Sequence, residues 1–333
     1  MRSISLVEDY DKSDVRPDEL IAQYVALMEK DIAEYFLPNL TADENCPACS
    51  SSNVSKAFEK LGMTYHQCAE CHSFYVGSRP TPEALREFSG HSKALEFWRE
   101  KISTETFSER SKRIIQPRMD WVSQDVSAYK PDAKSLAMLG YQPGYGTALK
   151  ELELFEHCTL VKLNRFDGSA AGEFSIVCET LDQLEDNCVD VGLTFESIDA
   201  ALSPKEAIMQ LHRILNKGGL LFITSILGSG FDIQTLKDRH DSIMPTDRMN
   251  LISVEGWQTL LSDAGFEIIE FSTPGVFDAQ IVSDALSKKK ITLDNPFLSY
   301  MFSKHNPDDI RAFQKFLQET LLSSYGRILA IKI

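Results

Sequence analysis

The spacing of apolar and polar positions changes at Ala133. Beyond it, short apolar runs alternate with segments whose apolar residues recur at helical spacing, over 147–155 and 204–215. Such alternation is typical of βαβ units, whose strands lie parallel in one sheet. The runs that predict strands are 135–141, 159–164, 174–178, 189–194 and 220–225.

The end of the chain predicts a different connection. Two apolar runs, 266–272 and 327–333, predict a closing pair of strands, and 273–325 between them predicts a helical insertion. Helices are expected around 281–288 and 307–322. The predicted fold class is therefore α/β, a doubly wound Rossmann-like sheet that is mostly parallel with an antiparallel last strand.

The chain before Ala133 predicts three smaller regions. Residues 1–40 are expected to form a helical segment, 41–78 a cysteine-containing module, and 79–130 a helical linker rich in large apolar side chains. Such a linker is expected to pack over the carboxyl edge of the sheet in 131–333, with Trp98 at a pocket rim and the 273–325 insertion closing the opposite side.

Two cysteine pairs dominate the N-terminal region. Cys46 and Cys49 form one pair, Cys68 and Cys71 the other, and eighteen residues lie between the pairs. Four thiolates satisfy the tetrahedral geometry of a structural zinc site, and the intervening residues predict a hairpin that ends in a strand at 63–67. Two disulfides are the alternative, and they would need an oxidising compartment. The spacing favours a zinc ribbon whose closed site supports structure.

Composition and charge indicate which kinds of binding partner and which cellular compartment are expected. The formal net charge of −15 argues against nucleic acid, because phosphate binding needs a basic surface. No apolar run approaches the roughly 18–20 residues of a membrane span. The N-terminus lacks the apolar run of a signal peptide, which together with the zinc prediction indicates a cytoplasmic protein.

A glycine-containing turn follows the first predicted strand of the sheet. The turn, 142–147, leads into a helix and contains Gly144 and Gly146. Ligands of doubly wound sheets bind outside the carboxyl ends of the strands, and glycine lets the backbone approach them closely. Turns of this composition also connect strand and helix in many α/β units that bind no ligand. The position of this turn, directly after the first strand, is therefore what indicates a nucleotide site.

The second half of the chain resembles class I S-adenosylmethionine-dependent methyltransferases. Residues 206–224 are similar to the helix, Gly-Gly turn and fifth strand of that family, and 253–267 to its helix before the sixth strand. The ending at 273–278 resembles a bacterial branch with an N-terminal Cys-pair module, often found in surface-polysaccharide or modified-sugar pathways. The resemblance spans about 46–333. It implies S-adenosylmethionine as cofactor and a small, sugar-derived or nucleotide-linked acceptor.

The resemblance also implies where the cofactor would bind, and there the motif is degenerate. Gly140 stands where the family has an acidic residue, and Gln142 replaces its first glycine. Asn164 replaces the acidic residue that accepts hydrogen bonds from both ribose hydroxyls. Losing such charge-assisted bonds predicts an affinity one to two orders of magnitude poorer. The predicted cofactor-binding residues are Gly140, Gln142, Gly144, Tyr145, Gly146, Thr147, Asn164 and Glu179.

Candidates for catalysis are few. Relatives tend to show Glu-His after the fourth strand, whereas this chain has Asp199 there without the histidine. Asp199 and His240 are the nearest candidates for a general base, and Asp232 lies where substrate loops emerge. Arg113 and Arg118 could clamp a substrate phosphate, and surface salt bridges are the alternative for both.

Two functions therefore stand side by side. The first is an S-adenosylmethionine-dependent methyltransferase acting on a small, sugar-derived or nucleotide-linked acceptor. The second is a degenerate, non-catalytic methyltransferase-like protein that binds a protein partner through its zinc module and helical insertion. The second is motivated by the residues at normally functional places, which are Gly140, Gln142, Asn164 and Ala200.

Overall fold

A computed structural model of the protein describes residues 12–140, 142–163, 173–288, 291–304 and 306–333. Two wide π-helical turns, Trp98–Ser103 and Ser111–Ile115, make 93–129 nearly continuous helix. The elements of this first part are α1 (Lys12–Val15), α2 (Asp18–Asp31), β1 (Val54–Lys60), β2 (Met63–Cys68), β3 (Phe74–Val76), α3 (Pro82–His91), α4 (Lys93–Phe97), α5 (Thr104–Arg110) and α6 (Gln116–Tyr129).

Strands and helices alternate in the second part, as the apolar pattern predicts. The described elements are β4 (Ser135–Leu139), α7 (Tyr145–Glu151), β5 (His157–Val161), β6 (Ile176–Cys178), β7 (Val189–Phe195), α8 (Pro204–Ile214), β8 (Leu215–Ile226), α9 (Phe231–Leu236), β9 (Asn250–Leu251), α10 (Val254–Asp263), β10 (Phe266–Ser272), α11 (Asp278–Ser287), α12 (Pro296–Lys304), α13 (Pro307–Glu319) and β11 (Tyr325–Lys332). The sequence pattern gave no signal for β9 or α12.

Seven of these strands form one sheet in the order β10-β11-β8-β7-β4-β5-β6. Strands β4 to β8 pair in parallel, and β11 lies antiparallel between β8 and β10. The predicted fold class, an α/β fold with a doubly wound, mostly parallel Rossmann-like sheet and an antiparallel last strand, is confirmed. The chain runs outward from β4 to β6 and then returns to β7 on the other side of β4. The strand order therefore reverses between β4 and β7, where such sheets bind their ligands.

Alternating side chains of the strands fill a core on each face of the sheet. Leu136 and Met138 of β4 pack on one face with α6 and α7. Ala137 and Leu139 pack on the other with α8, α10 and the cysteines of the N-terminal module. The module and the sheet therefore share one core.

The N-terminal module forms a second sheet with a strand from the other half of the chain. β1 and β2 make the predicted hairpin, β3 pairs with β2, and β9 pairs with β3 so that Phe74 lies opposite Leu251 and Tyr75 opposite Asn250. This strand pairing fixes the module to the loop that leaves the carboxyl edge of the larger sheet. Within the described ranges no helix is both long and apolar enough to span a bilayer.

Candidate functional site

A cavity of about 870 Å³ opens at the carboxyl edge of the seven-stranded sheet. Gly140 after β4, Leu163 after β5 and Glu196 after β7 line its floor, so it lies at the point where the strand order reverses. Its volume is in the range of pockets that hold small molecules. The described structure thus has a ligand-sized space where the fold predicts one.

The helical linker forms one wall of this cavity. Leu95, Trp98, Phe107, Arg110 and Ile115 all line it. Spacings of three to nine residues along the nearly continuous helix place these side chains on the face that meets the sheet. The expectation that the linker covers the carboxyl edge, with Trp98 at the pocket, agrees with this arrangement.

The opposite wall differs from the expectation. Arg16 and Tyr24 come from the N-terminal helices, and Ser242, Asp247 and Arg248 come from the segment before β9. No described residue of 273–325 lines the cavity. The insertion instead packs α11 against α9 and α13, so its expected role in closing the pocket was wrong.

Three of the predicted cofactor residues line the cavity: Gly140, Gln142 and Tyr145. Gly140 has φ of +80°, and an added Cβ would lie 2.5 Å from Ser197 Oγ. Gln142 donates from Nε2 to the Phe195 carbonyl at 2.8 Å, which ties the turn to the end of β7. Glycine at 140 therefore lets the end of β4 pack closely against Ser197 where both border the pocket.

The rest of the glycine turn contacts protein. At Gly144, which has φ of +93°, an added Cβ would lie 2.9 Å from Ile115 Cδ1. The helical linker therefore packs directly against the turn at this glycine. Gly146 faces Glu173, and Thr147 is exposed outside the cavity lining. Glu179 is also outside it and pairs with Lys162. Asn164 lies outside the described residues.

Glu196 is the charged centre of the cavity floor. Its Oε1 accepts a hydrogen bond from Arg118 Nη2 at 2.5 Å, and its Oε2 accepts one from Arg248 Nη2. Burial by itself would raise the pKa of Glu196, but the charges and hydrogen bonds of both arginines hold it well below its usual range. Glu196 is therefore a fixed anion that orients two arginines.

Arg118 thus has a partner that the sequence pattern did not indicate. It also donates from Nη1 to the Tyr145 hydroxyl at 2.7 Å and from Nε to the Tyr325 hydroxyl at 3.0 Å. Arg113 instead pairs with Glu109 on its own helix at 3.4 Å. The structure does not show a substrate clamp formed by these two arginines, because neither lines the cavity and each pairs with a glutamate.

Asp199 lies behind the cavity and outside its lining. Its Oδ1 accepts from Ser225 Oγ at 2.6 Å and its Oδ2 from the Ile226 N–H at 3.0 Å, while Arg248 Nη1 lies 3.4 Å from Oδ2. Burial raises its pKa to about 7. These contacts make Asp199 a support for Arg248 and argue against its role as a base that meets substrate.

His240 and Asp232 form a buried pair away from the cavity lining. His240 Nε2 lies 2.9 Å from Asp232 Oδ2, and the Ser242 N–H donates to Nδ1 at 3.0 Å. With both ring nitrogens engaged, the histidine fixes the loop that carries Ser242. This arrangement argues against His240 as a general base and against Asp232 as a substrate contact.

The four cysteines of the N-terminal module converge on one point. Cys46 Sγ lies 3.5 Å from Cys71 Sγ, Cys49 Sγ lies 3.5 Å from Cys68 Sγ, and all four sulfurs are within 4.8 Å of one another. Zinc–sulfur bonds of about 2.3 Å place tetrahedral sulfurs about 3.8 Å apart, whereas a disulfide would need about 2.05 Å. The donor set therefore fits zinc with four thiolates, and no position remains open for substrate.

A buried arginine connects this module to the cavity floor. Arg79, 1% exposed, donates from Nη2 to Asn250 Oδ1 at 2.7 Å and from Nη1 to the carbonyl of Ala201 at 3.2 Å. Asn250 Nδ2 in turn donates to the carbonyls of Ile198 and Ala201 at 3.0 and 2.8 Å. Because Ala200 lines the cavity, the module holds the loop after β7 in place.

The comparisons with known proteins concern the fold. No protein-family model matches the sequence, and no curated protein matches it. Among solved structures, it is similar to an S-adenosylmethionine-dependent methyltransferase of Archaeoglobus fulgidus, with 15% identity over 68% of this chain and 99% of that one and a TM-score of 0.42. It is also similar to an S-adenosylmethionine-dependent methyltransferase of Thermotoga maritima, with 18% identity over 69% of this chain and 98% of that one and a TM-score of 0.40. The [4+2]-cyclase SpnF is similar as well, with 17% identity over 64% of this chain and 80% of that one and a TM-score of 0.37. Likeness at this level assigns no reaction.

Proposed function

We propose that the protein is an S-adenosylmethionine-dependent methyltransferase that acts on a small acceptor. The observation that carries the proposal is the cavity of about 870 Å³ at the reversal of strand order, lined by Gly140 and Gln142 of the turn after β4. The resemblance of 206–224 and 253–267 to the methyltransferase family supports it independently.

The residues present fit the cofactor at this place. Gly140 lets the backbone of the turn pack closely against Ser197 at the pocket, and Leu163 gives an apolar surface at the end of β5. Glu196 supplies a fixed negative charge at the end of β7. S-adenosylmethionine supplies an activated methyl group on a sulfonium, so orientation of the acceptor provides much of the rate.

An oxygen or nitrogen acceptor also needs a group that takes its proton. Glu196 is poorly suited, because Arg118 and Arg248 stabilise its charged form. Asp247 is the other carboxylate among the described residues that line the cavity, and it accepts a 2.7 Å hydrogen bond from Thr246 Oγ1. We assign the general base to Asp247.

The finer features of the proposal are the acceptor, the metal and the domain division. The sequence resemblance supports a sugar-derived or nucleotide-linked acceptor. The four-cysteine cluster supports a structural zinc ion, and the shared core and the Arg79 contacts give that ion a role in holding the cavity floor. We propose the division into 1–40, 41–78, 79–130 and 131–333, which separates the N-terminal helices, the cysteine module, the helical linker and the domain with the larger sheet. We also propose a cytoplasmic location, because thiolates stay reduced there.

The non-catalytic alternative predicts a collapsed pocket, since nothing would maintain an empty space beside a degenerate motif. The described structure instead keeps a ligand-sized cavity with charged groups in defined pairs. This observation favours ligand binding at the sheet edge, which the alternative of a non-catalytic protein that binds a protein partner does not require.

Gly140→Ala is the variant that tests the cofactor position. The new methyl group would meet Ser197 Oγ, and φ of +80° disfavours alanine. We expect the affinity for S-adenosylhomocysteine, measured by titration calorimetry, to fall at least tenfold. Gly90→Ala is the matched control, because Gly90 is exposed on α3 and an added Cβ meets nothing within 4 Å.

Thermal unfolding of both variants separates a local effect from misfolding. If Gly140→Ala does not fold, binding by the wild-type protein decides the question. Absence of any S-adenosylmethionine or S-adenosylhomocysteine binding at millimolar concentration by the folded wild type would contradict the proposed function.

A further inference from the structure

Two arginines in the cavity wall differ from the paired arginines of its floor. Arg16 and Arg110 both line the cavity. Within the parts of the chain that the structure describes, neither has a carboxylate oxygen within 4 Å of its guanidinium, whereas Arg118 and Arg248 share Glu196. Among the described residues, the wall therefore presents two guanidinium groups that have no acidic side chain at contact distance.

Burial and neighbouring positive charges disfavour the charged forms of both arginines. Burial lowers the pKa of Arg16, and the nearby charges of Arg248 and Arg110 lower it further. Burial also lowers the pKa of Arg110; the charge of Glu196 opposes this effect, and the charges of Arg118 and Arg248 add to it. Like charges that face one pocket repel each other, and an anion between them removes that cost. The contrast with the net charge of −15 makes this local excess of positive charge notable.

Both guanidinium groups are held in place by groups that do not compete with an anion. Arg16 Nη1 donates to Ser242 Oγ at 2.7 Å. The Arg110 guanidinium lies over the Trp98 ring, 5.9 Å from its centroid, so the ring supports its flat face. Donors from Arg16 and Arg110 are thus available to one ligand.

We propose that Arg16 and Arg110 form a subsite for a phosphate group carried by the acceptor. Guanidinium groups bind phosphate oxygens through paired, charge-assisted hydrogen bonds, and a phosphate offers enough oxygens for donors that approach from several sides. The assignment of the phosphate to the acceptor rests on the proposed methyl transfer, whereas the anion site itself rests on the arginines alone.

Titration calorimetry with pyrophosphate tests the subsite directly. We expect the wild-type protein to bind pyrophosphate, with an affinity that falls as ionic strength rises. Arg110→Gln and Arg16→Gln should each weaken this binding at least tenfold. Arg113→Gln is the matched control, because Arg113 lies on the same helical stretch but outside the cavity lining and pairs with Glu109. It should change the affinity less than twofold.

Measurements with S-adenosylhomocysteine separate the acceptor from the cofactor. We expect Arg110→Gln to keep its affinity for S-adenosylhomocysteine within twofold, and both ligands to bind the wild type together. A tenfold loss of S-adenosylhomocysteine affinity in this variant, or mutual exclusion of the two ligands, would overturn the assignment to the acceptor, because the arginines would then serve the cofactor.

Two results would contradict the anion site itself, independently of the cofactor measurements. Wild-type protein that binds no pyrophosphate, or equal weakening in Arg113→Gln and Arg110→Gln, would overturn it. Pyrophosphate binding in a protein that binds no S-adenosylhomocysteine would support the anion site while contradicting the proposed methyltransferase function. The two failures are therefore distinguishable.

Discussion

A variant carrying Cys49→Ser and Cys68→Ser is expected to lose zinc, while the wild-type protein should contain about one zinc ion per chain. Four sulfurs within 4.8 Å of one another leave the two remaining cysteines with half of a tetrahedral site. Apparent zinc affinities of structural sites correspond to roughly 10–16 kcal/mol in zinc-finger peptides, which is comparable with the whole stability of a domain. Elemental analysis gives the metal content.

The loss should spread beyond the N-terminal module. Its cysteines pack in the same core as Trp257 of α10, and β3 pairs with β9. We therefore expect a lower unfolding temperature and a red shift of the emission of Trp257, which is fully buried in the folded protein. Cys158→Ser is the control, since Cys158 is not part of the cluster. Full zinc retention by the double variant would place the metal elsewhere.

Glu196→Ala is expected to destabilise the protein by about 3–5 kcal/mol, because it leaves two buried arginines without their shared carboxylate. Arg118 and Arg248 both pair with Glu196, and their side chains are 6% and 14% exposed. Arg118 also fixes the hydroxyls of Tyr145 and Tyr325, so its displacement should open the floor of the cavity. Urea unfolding measures the loss.

Glu156→Ala provides the comparison for this prediction. Glu156 is also half of an ion pair, with Lys134 at 2.8 Å, but both side chains are largely exposed. Solvent-exposed pairs contribute little, so no measurable change in stability is expected. Equal midpoints for Glu196→Ala and the wild type would show that the arginines find other partners and that Glu196 does not organise the site.

Local patterns were sufficient to predict the sheet and the cysteine cluster. The strand between 135 and 141 ends at Leu139 in the structure, and 159–164 corresponds to β5 at His157–Val161. Both predictions rest on the short-range spacing of apolar residues, which backbone geometry imposes directly. The cysteine pairs were equally accessible, because a metal site of this kind needs two short turns and a hairpin between them.

The ion pairs of Glu196 with Arg118 and Arg248 could not be predicted from local patterns. Arg118 and Glu196 are 78 residues apart, and their pairing depends on the packing of α6 against the end of β7. Arg248 lies in a loop with no periodic signal, and β9 is too short to predict. His240 looked like a loop residue because its burial against Asp232 arises only in the tertiary structure. Long-range contacts of this type leave no local pattern in a sequence.

A crystal structure of the protein with S-adenosylhomocysteine tests the central claim most directly. We expect ligand density in the cavity between the linker and the carboxyl edge of the sheet, in contact with Gly140 and beside Leu163 and Glu196. Arg16 and Arg110 should remain free of the ligand. Density at another site, or an empty cavity in crystals saturated with the ligand, would contradict the account.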